Sequence, residues 1–144
     1  MRTLFTIGLL ALLPFIGLAQ QADESAVKKV ITQAYIEGIQ NQGDIEAVRQ
    51  GFHPDFEMLI NRNGQLSKFP ISAWIERLEQ RKANPSGSAQ PPVSGKFLDV
   101  SITGNAAIVS LELHRENKLI FTDYISLYKF GSQWKIVSKI YHQH

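Results

Sequence analysis

From Asp23 onward, apolar residues recur at Val27, Val30, Ile31, Ala34, Tyr35 and Gly38. This spacing predicts an amphipathic helix, with Lys28, Lys29, Gln33 and Glu37 mostly off the stripe. Gly43 stops it, and Asp44 offers an N-cap to a shorter helix from Ile45 to Phe52, whose apolar positions are Ile45, Val48 and Phe52. The stretch HPDFEMLI then reads as extended, and Asn63-Gly64 makes a hairpin turn into QLSKF. After Pro70 the helical spacing returns at Ile71, Trp74, Ile75 and Leu78. The segment ANPSGSAQPP, Ala83 to Pro92, has no apolar period and reads as a loop.

The remainder alternates as strands, and its short turns predict register. A two-residue turn at Gly104-Asn105 pairs Ile102 with Ala107, Val100 with Val109 and Leu98 with Leu111. A second at Gly131-Ser132 pairs Leu127 with Ile136, Ile125 with Ser138 and Asp123 with Ile140. A three-residue loop, Arg115 to Asn117, pairs Leu111 with Phe121 and Val109 with Asp123. Four antiparallel strands then share one apolar face, which the three helices must cover. The reverse face carries Ser110, Glu112, His114, Thr122, Tyr124, Ser126, Tyr128, Lys135, Lys139 and Tyr141. On this register Lys139 faces outward beside Tyr124, a surface or interface residue, and the three tyrosines predict a homodimer through that face.

The chain's opening changes the picture. MRTLFTIGLLALLPFIGLAQ places Arg2 ahead of an apolar run, with Gly17 and Ala19 at the spacing of a signal-peptidase site, so cleavage is expected after Ala19. The run is broken by Pro14 and falls short of the ~20 residues a spanning helix needs. Residues 1–19 are thus expected to be a signal peptide and residues 20–144 one domain, periplasmic or secreted and off the membrane once cleaved. Charge is nearly balanced at 15 basic against 13 acidic residues, with Arg2 lost in the leader, which leaves no net charge to hold a phosphate backbone. Nucleic acid is not an expected partner. There is no cysteine, hence neither disulfide nor thiolate chemistry.

The element order, with AYIEGIQNQGD, FHPDF, the Trp of ISAWIERL and TDYISLYKFGSQWKIVSKIY, resembles the nuclear transport factor 2-like superfamily. Within it the chain is most similar to the bacterial SnoaL-like proteins described as putative lumazine-binding. The resemblance implies an α+β, cone-shaped fold, three helices on a curved, mainly antiparallel sheet in the order ααββαββββ. It does not imply one activity, because the superfamily holds isomerases, dehydratases, hydrolases, cyclases and pure binding modules. The ketosteroid isomerase-like pattern would set its base near Ile60 and its oxyanion-hole acid near Ser126. Neither is a carboxylate, so steroid isomerisation is disfavoured.

Candidate chemistry centres on FTDYISLYKF, Phe121 to Phe130, which sets Asp123 on the apolar side with Phe121, Ile125 and Leu127. That side is expected to line a partly open pocket. Burial there disfavours the ionised carboxyl, as suits a general acid or neutral donor. The alternative is a structural carboxylate bonded to a hydroxyl such as Ser138, or to a backbone N–H. Tyr35 is a candidate neighbour for Asp123, and Trp74 and Met58 are candidate ligand contacts, although Tyr35 and Trp74 also suit a plain core. His53, in FHPDF, could exchange protons at the cone's rim or simply end its helix. His142 and His144 form an H-x-H better read as a frayed terminus than as a metal site, and no cofactor motif is present.

The leading expectation is an exported module that binds a small, largely apolar or aromatic molecule in the cone. Its rivals are a cofactor-independent acid–base enzyme, a dehydratase, isomerase or hydrolase using Asp123 and His53, and an interaction domain working through the outer sheet face.

Overall fold

A computed structural model describes residues 15–85 and 90–144. Most of the expected leader therefore lies outside the described residues. The first helix, α1 (Phe15–Val30), runs without a break into a π-helical segment, Ile31–Gln40. The apolar stripe beginning at Asp23 belongs to this one rod, whose second half is wound wider than an α-helix. Widening brings residues five apart onto one side: Ile31, Ala34, Tyr35, Ile36, Gly38 and Ile39 are all buried. No described helix is long and apolar enough to cross a membrane.

Asp44 caps α2 (Ile45–Gly51) by accepting from the Glu46 N–H. Helix α2 packs closely on the π-helical segment. A Cβ at Gly38 would stand 2.5 Å from Val48 Cγ2, so only glycine permits the approach. A hairpin follows, β1 (Phe52–Arg62) and β2 (Gln65–Pro70), turning at Asn63 and Gly64, both at positive φ. Helix α3 (Ile71–Ala83) then buries Ile71, Ile75 and Leu78.

Four long strands complete the chain: β3 (Val93–Thr103), β4 (Ala106–Arg115), β5 (Lys118–Phe130) and β6 (Gln133–Gln143). The six strands form one sheet in the order β2-β1-β6-β5-β4-β3, antiparallel except where β1 runs parallel to β6. The helices cover its inner face, and Val109, Leu111, Leu113, Ile125, Leu127 and Ile136 meet Val27, Ile31, Tyr35 and Phe56 in the core. This is the expected cone in the expected order ααββαββββ.

Among β3 to β6, register departs from strict alternation at three bulges, and the β1–β6 pairing carries a further irregularity between Phe52 and Glu57. On β3 the bulge makes Phe97, not Leu98, the partner of Leu111, and Leu98 turns outward. The β4–β5 turn is two residues, Glu116 and Asn117, both at positive φ, followed by a bulge that pairs Leu113 with Phe121 and Leu111 with Asp123. The third bulge is on β6: Leu127 still faces Ile136, but Ser126 faces Ser138, Ile125 faces Lys139 and Asp123 faces Tyr141. One extra residue inverts every later side chain. Ile140, expected in the core, is 52% exposed, whereas Lys139, expected on the outer face, is 5% exposed and lies inside. Tyr141 likewise moves from the outer to the inner face.

Candidate functional site

Burial of Asp123 follows from its place on the inner face of β5, between Leu111 on β4 and Tyr141 on β6. The β6 bulge brings Lys139 to it. Lys139 Nζ donates to Asp123 Oδ1 at 2.6 Å and to Tyr35 Oη at 2.9 Å, while Tyr35 donates to Asp123 Oδ2 at 2.6 Å. Gln40, one π-turn beyond Tyr35, donates to Tyr35 Oη at 3.0 Å. Proton direction follows from this set. Because the phenol oxygen accepts from both Lys139 and Gln40, its single hydrogen must go to Asp123, so both carboxylate oxygens act as acceptors. In this arrangement both Asp123 oxygens accept, and its hydroxyl partner is Tyr35 rather than Ser138.

Burial governs the electrostatics. It pushes the Tyr35 hydroxyl well above the usual tyrosine range, and the adjacent Asp123 charge pushes the same way. Burial also holds the Lys139 ammonium below the usual lysine range, against the opposing pull of Asp123. Lys139 sits over two ring faces, 5.1 Å from the Tyr35 centroid and 4.6 Å from that of Tyr141, which recover part of the lost hydration.

Three members of the network, Tyr35, Lys139 and Gln40, border a pocket of about 230 Å³ with Met58, Trp74, Tyr141, Phe121 and Gln143, whereas Asp123 is fully buried behind them and does not line it. Met58 arrives because β1 pairs in parallel with β6 and sets it opposite Lys139. Trp74 comes from α3, edge-on to Tyr35 at 6.0 Å and to Phe69 at 5.9 Å. An aromatic wall thus stands over a polar floor.

Residues 22–142 match the model of the family described as "Putative lumazine-binding". The chain belongs to this family. It is 27% identical over 130 residues to "Aldolase FrzH" of Cladobotryum sp., covering 88% of this chain and 98% of that protein. Among solved structures it is similar to a nuclear transport factor 2-like protein of unknown function from Shewanella baltica OS155, with a TM-score of 0.69, 23% identity and 86% and 95% of the two chains covered. A second, from Silicibacter pomeroyi DSS-3, has a TM-score of 0.69 at 19% identity, covering 87% and 98%. At these identities the structural likenesses speak to the fold, which is nuclear transport factor 2-like.

In this lumazine-binding family member, His53 lies apart from Asp123. The His53 ring stacks on Phe130, with centroids 4.8 Å apart, beside a separate hollow lined by Phe52, Pro54, Ile71 and Ile75. Phe130 is seven residues along β5 from Asp123, roughly 20 Å at strand rise. His142 and His144 are not frayed: β6 extends to Gln143, and the His144 N–H donates to the Ile120 carbonyl at 3.1 Å. Among the described residues, no group of three His, Cys, Asp or Glu could hold a metal.

Strand alternation concealed Lys139 and Tyr141, and α-helical spacing concealed Gln40. One signal pointed to the lysine. A carboxylate on a core face demands a compensating charge, and Lys139 is the only cation that one bulge in the neighbouring strand brings to the same level.

Proposed function

We propose that the protein is an exported small-molecule-binding module whose ligand is compact, largely apolar or aromatic, and carries a carbonyl or similar acceptor. One observation carries this reading: Lys139 borders the pocket with three N–H donors, of which Asp123 and Tyr35 take two. The third is left for a ligand acceptor. About 230 Å³ is less than the ~300–1,000 Å³ of drug-sized sites, which favours a ligand of one or two rings. Trp74, Phe121 and Tyr141 supply ring contacts for such a molecule. The family's description supports the same class, lumazine being a planar two-ring heterocycle with carbonyl acceptors.

The apolar leader ending at Ala19 supports export to the periplasm or medium, and sequencing of the mature N-terminus should begin at Gln20. For ligand binding, the test is a thermal-shift panel of lumazine and related one- and two-ring carbonyl compounds. A ligand at 100 times its Kd should add about 2.7 kcal/mol. The gain should vanish in Lys139→Met, scored against that variant's own baseline. A panel without hits, or hits unaffected by Lys139→Met, would count against the reading.

An enzyme reading is favoured by the lowered pKa of Lys139 together with the aldolase name of the Cladobotryum relative. Here Asp123 takes the ammonium proton, and the freed amine adds to a carbonyl carbon. Asp123 returns that proton to the carbinolamine hydroxyl, which leaves as water, and the resulting iminium can accept electrons from a breaking or forming C–C bond. Borohydride reduction followed by mass spectrometry separates the two readings. An enzyme of this kind gives a stable adduct on Lys139, and a binding module gives none.

A further inference from the structure

A second pocket, of about 320 Å³, lies beside the first and shares two of its walls, Gln40 and Trp74. Its other lining is distinctive in charge. Arg81 from the last turn of α3 and Arg115 from the end of β4 both border it, with amide side chains from Asn41, Gln42 and Gln90 and no acidic residue. Asn41 fixes one rim by exchanging two hydrogen bonds with the Val93 backbone, at 2.7 and 3.0 Å, and Val93 is the β3 partner of Arg115.

Arg115 is not satisfied where it stands. Its Nε is buried without a hydrogen-bond partner, the one buried side-chain polar atom in that condition among the described residues. Its cross-strand partner on β5 is Lys118, so cation faces cation across the Glu116-Asn117 turn. Among the described residues no carboxylate forms an ion pair with Arg81 or Arg115, including Glu116 in that turn. A buried donor without an acceptor is costly, and a guanidinium offers its Nε and Nη hydrogens as a fork that matches a planar carboxylate.

We infer that this pocket is an oxyanion-binding site that takes a small carboxylate, gripped by Arg115 and closed over by Arg81. Turning the Arg115 guanidinium toward the pocket gives its Nε–H an acceptor, and the amide groups around the rim supply further donors. The pocket is separate from the Lys139 floor. Trp74 stands in the wall between them, so occupancy of the arginine site should register in its fluorescence.

The experiment titrates the full chain with succinate, using Trp74 fluorescence and melting temperature as readouts, against sodium chloride at equal ionic strength. Succinate should give a saturable change that chloride does not, and Trp74→Phe should remove the optical signal but not the thermal one. Arg115→Met should weaken succinate binding at least tenfold, Arg115→Lys should recover only part of it, and Arg81→Gln, at an exposed position, should weaken it without harming the fold. A response no larger than that of chloride, or one that persists in the Arg81→Gln/Arg115→Met double variant, would overturn the inference.

Discussion

Lys139 Nζ and Asp123 Oδ1 meet at 2.6 Å inside the sheet's covered face, with the two side chains 5% and 0% exposed. Such a pair is coupled more tightly than it is stabilising. Desolvating both charges consumes most of their attraction, but removing one partner strands the other without a counter-charge.

The substitution series follows from that asymmetry. Asp123→Asn and Lys139→Met should each cost about 3–5 kcal/mol, because each leaves an uncompensated buried group. Asp123→Asn/Lys139→Met should cost much less than the sum of its two single changes. Urea unfolding of the four proteins closes the cycle. Additive losses would mean that the two side chains do not depend on each other in the folded protein.

Alkaline pH should act on this network in two opposed ways. Tyr35 is raised above its ordinary value of 10.0, so its contribution is fully present below about pH 10 and is lost as pH climbs through the folded value. Lys139 is lowered from 10.5, so the unfolded chain binds its proton more readily and stability rises with pH between the folded value and about 10.5. The wild-type protein should therefore gain stability toward about pH 10 and lose it above, the two windows overlapping only between 10.0 and 10.5. Tyr35→Phe should expose the rising slope and Lys139→Met the falling one, as read from unfolding midpoints at about pH 8, 9, 10 and 11. Identical slopes in the three proteins would contradict the burial that drives both shifts.

Much of the fold was legible because its punctuation is local. Asp44 caps, Asn63-Gly64 and Gly104-Asn105 turn, and the apolar stripes of α1 and α3 name their buried faces without tertiary information. Pairings near those turns were read correctly, from Ile102–Ala107 to Leu127–Ile136. Errors began one bulge away. Nothing in IVSKIY announces an extra residue, and alternation that puts Ile136 inside predicts Ile140 inside as well, where Lys139 belongs. The π-helical winding was equally silent, since the same stripe fits either period and only the wider one aligns Gln40 with Tyr35. The site thus arises where two regular periods fail. Asp123 and Tyr35 could be found from the pattern, whereas the lysine that joins them was signalled only by the need of a buried carboxylate for a counter-charge.

The outer face of the sheet supports one further prediction. Ile108, Tyr124, Tyr128, Leu98 and Ile140 are all about half exposed there, and the bulges add Leu98 and Ile140 to the outward tyrosines. Tyr124 and Ile140 are direct cross-strand partners, so the apolar surface is continuous rather than scattered. Charge does not oppose self-association: the chain is nearly neutral, and Lys96 and Glu112 on β3 and β4 present both signs, as a two-fold contact between identical surfaces needs. We therefore expect a homodimer through this face, giving twice the chain mass by light scattering at tens of micromolar, roughly the range a stable interface should hold. Ile108→Glu would bury two like charges near a two-fold axis and should return the protein to monomer, with the Asp123 network intact on the other side of the sheet. A wild-type chain that stays monomeric at that concentration, or an Ile108→Glu protein that remains dimeric, would remove this face as the contact.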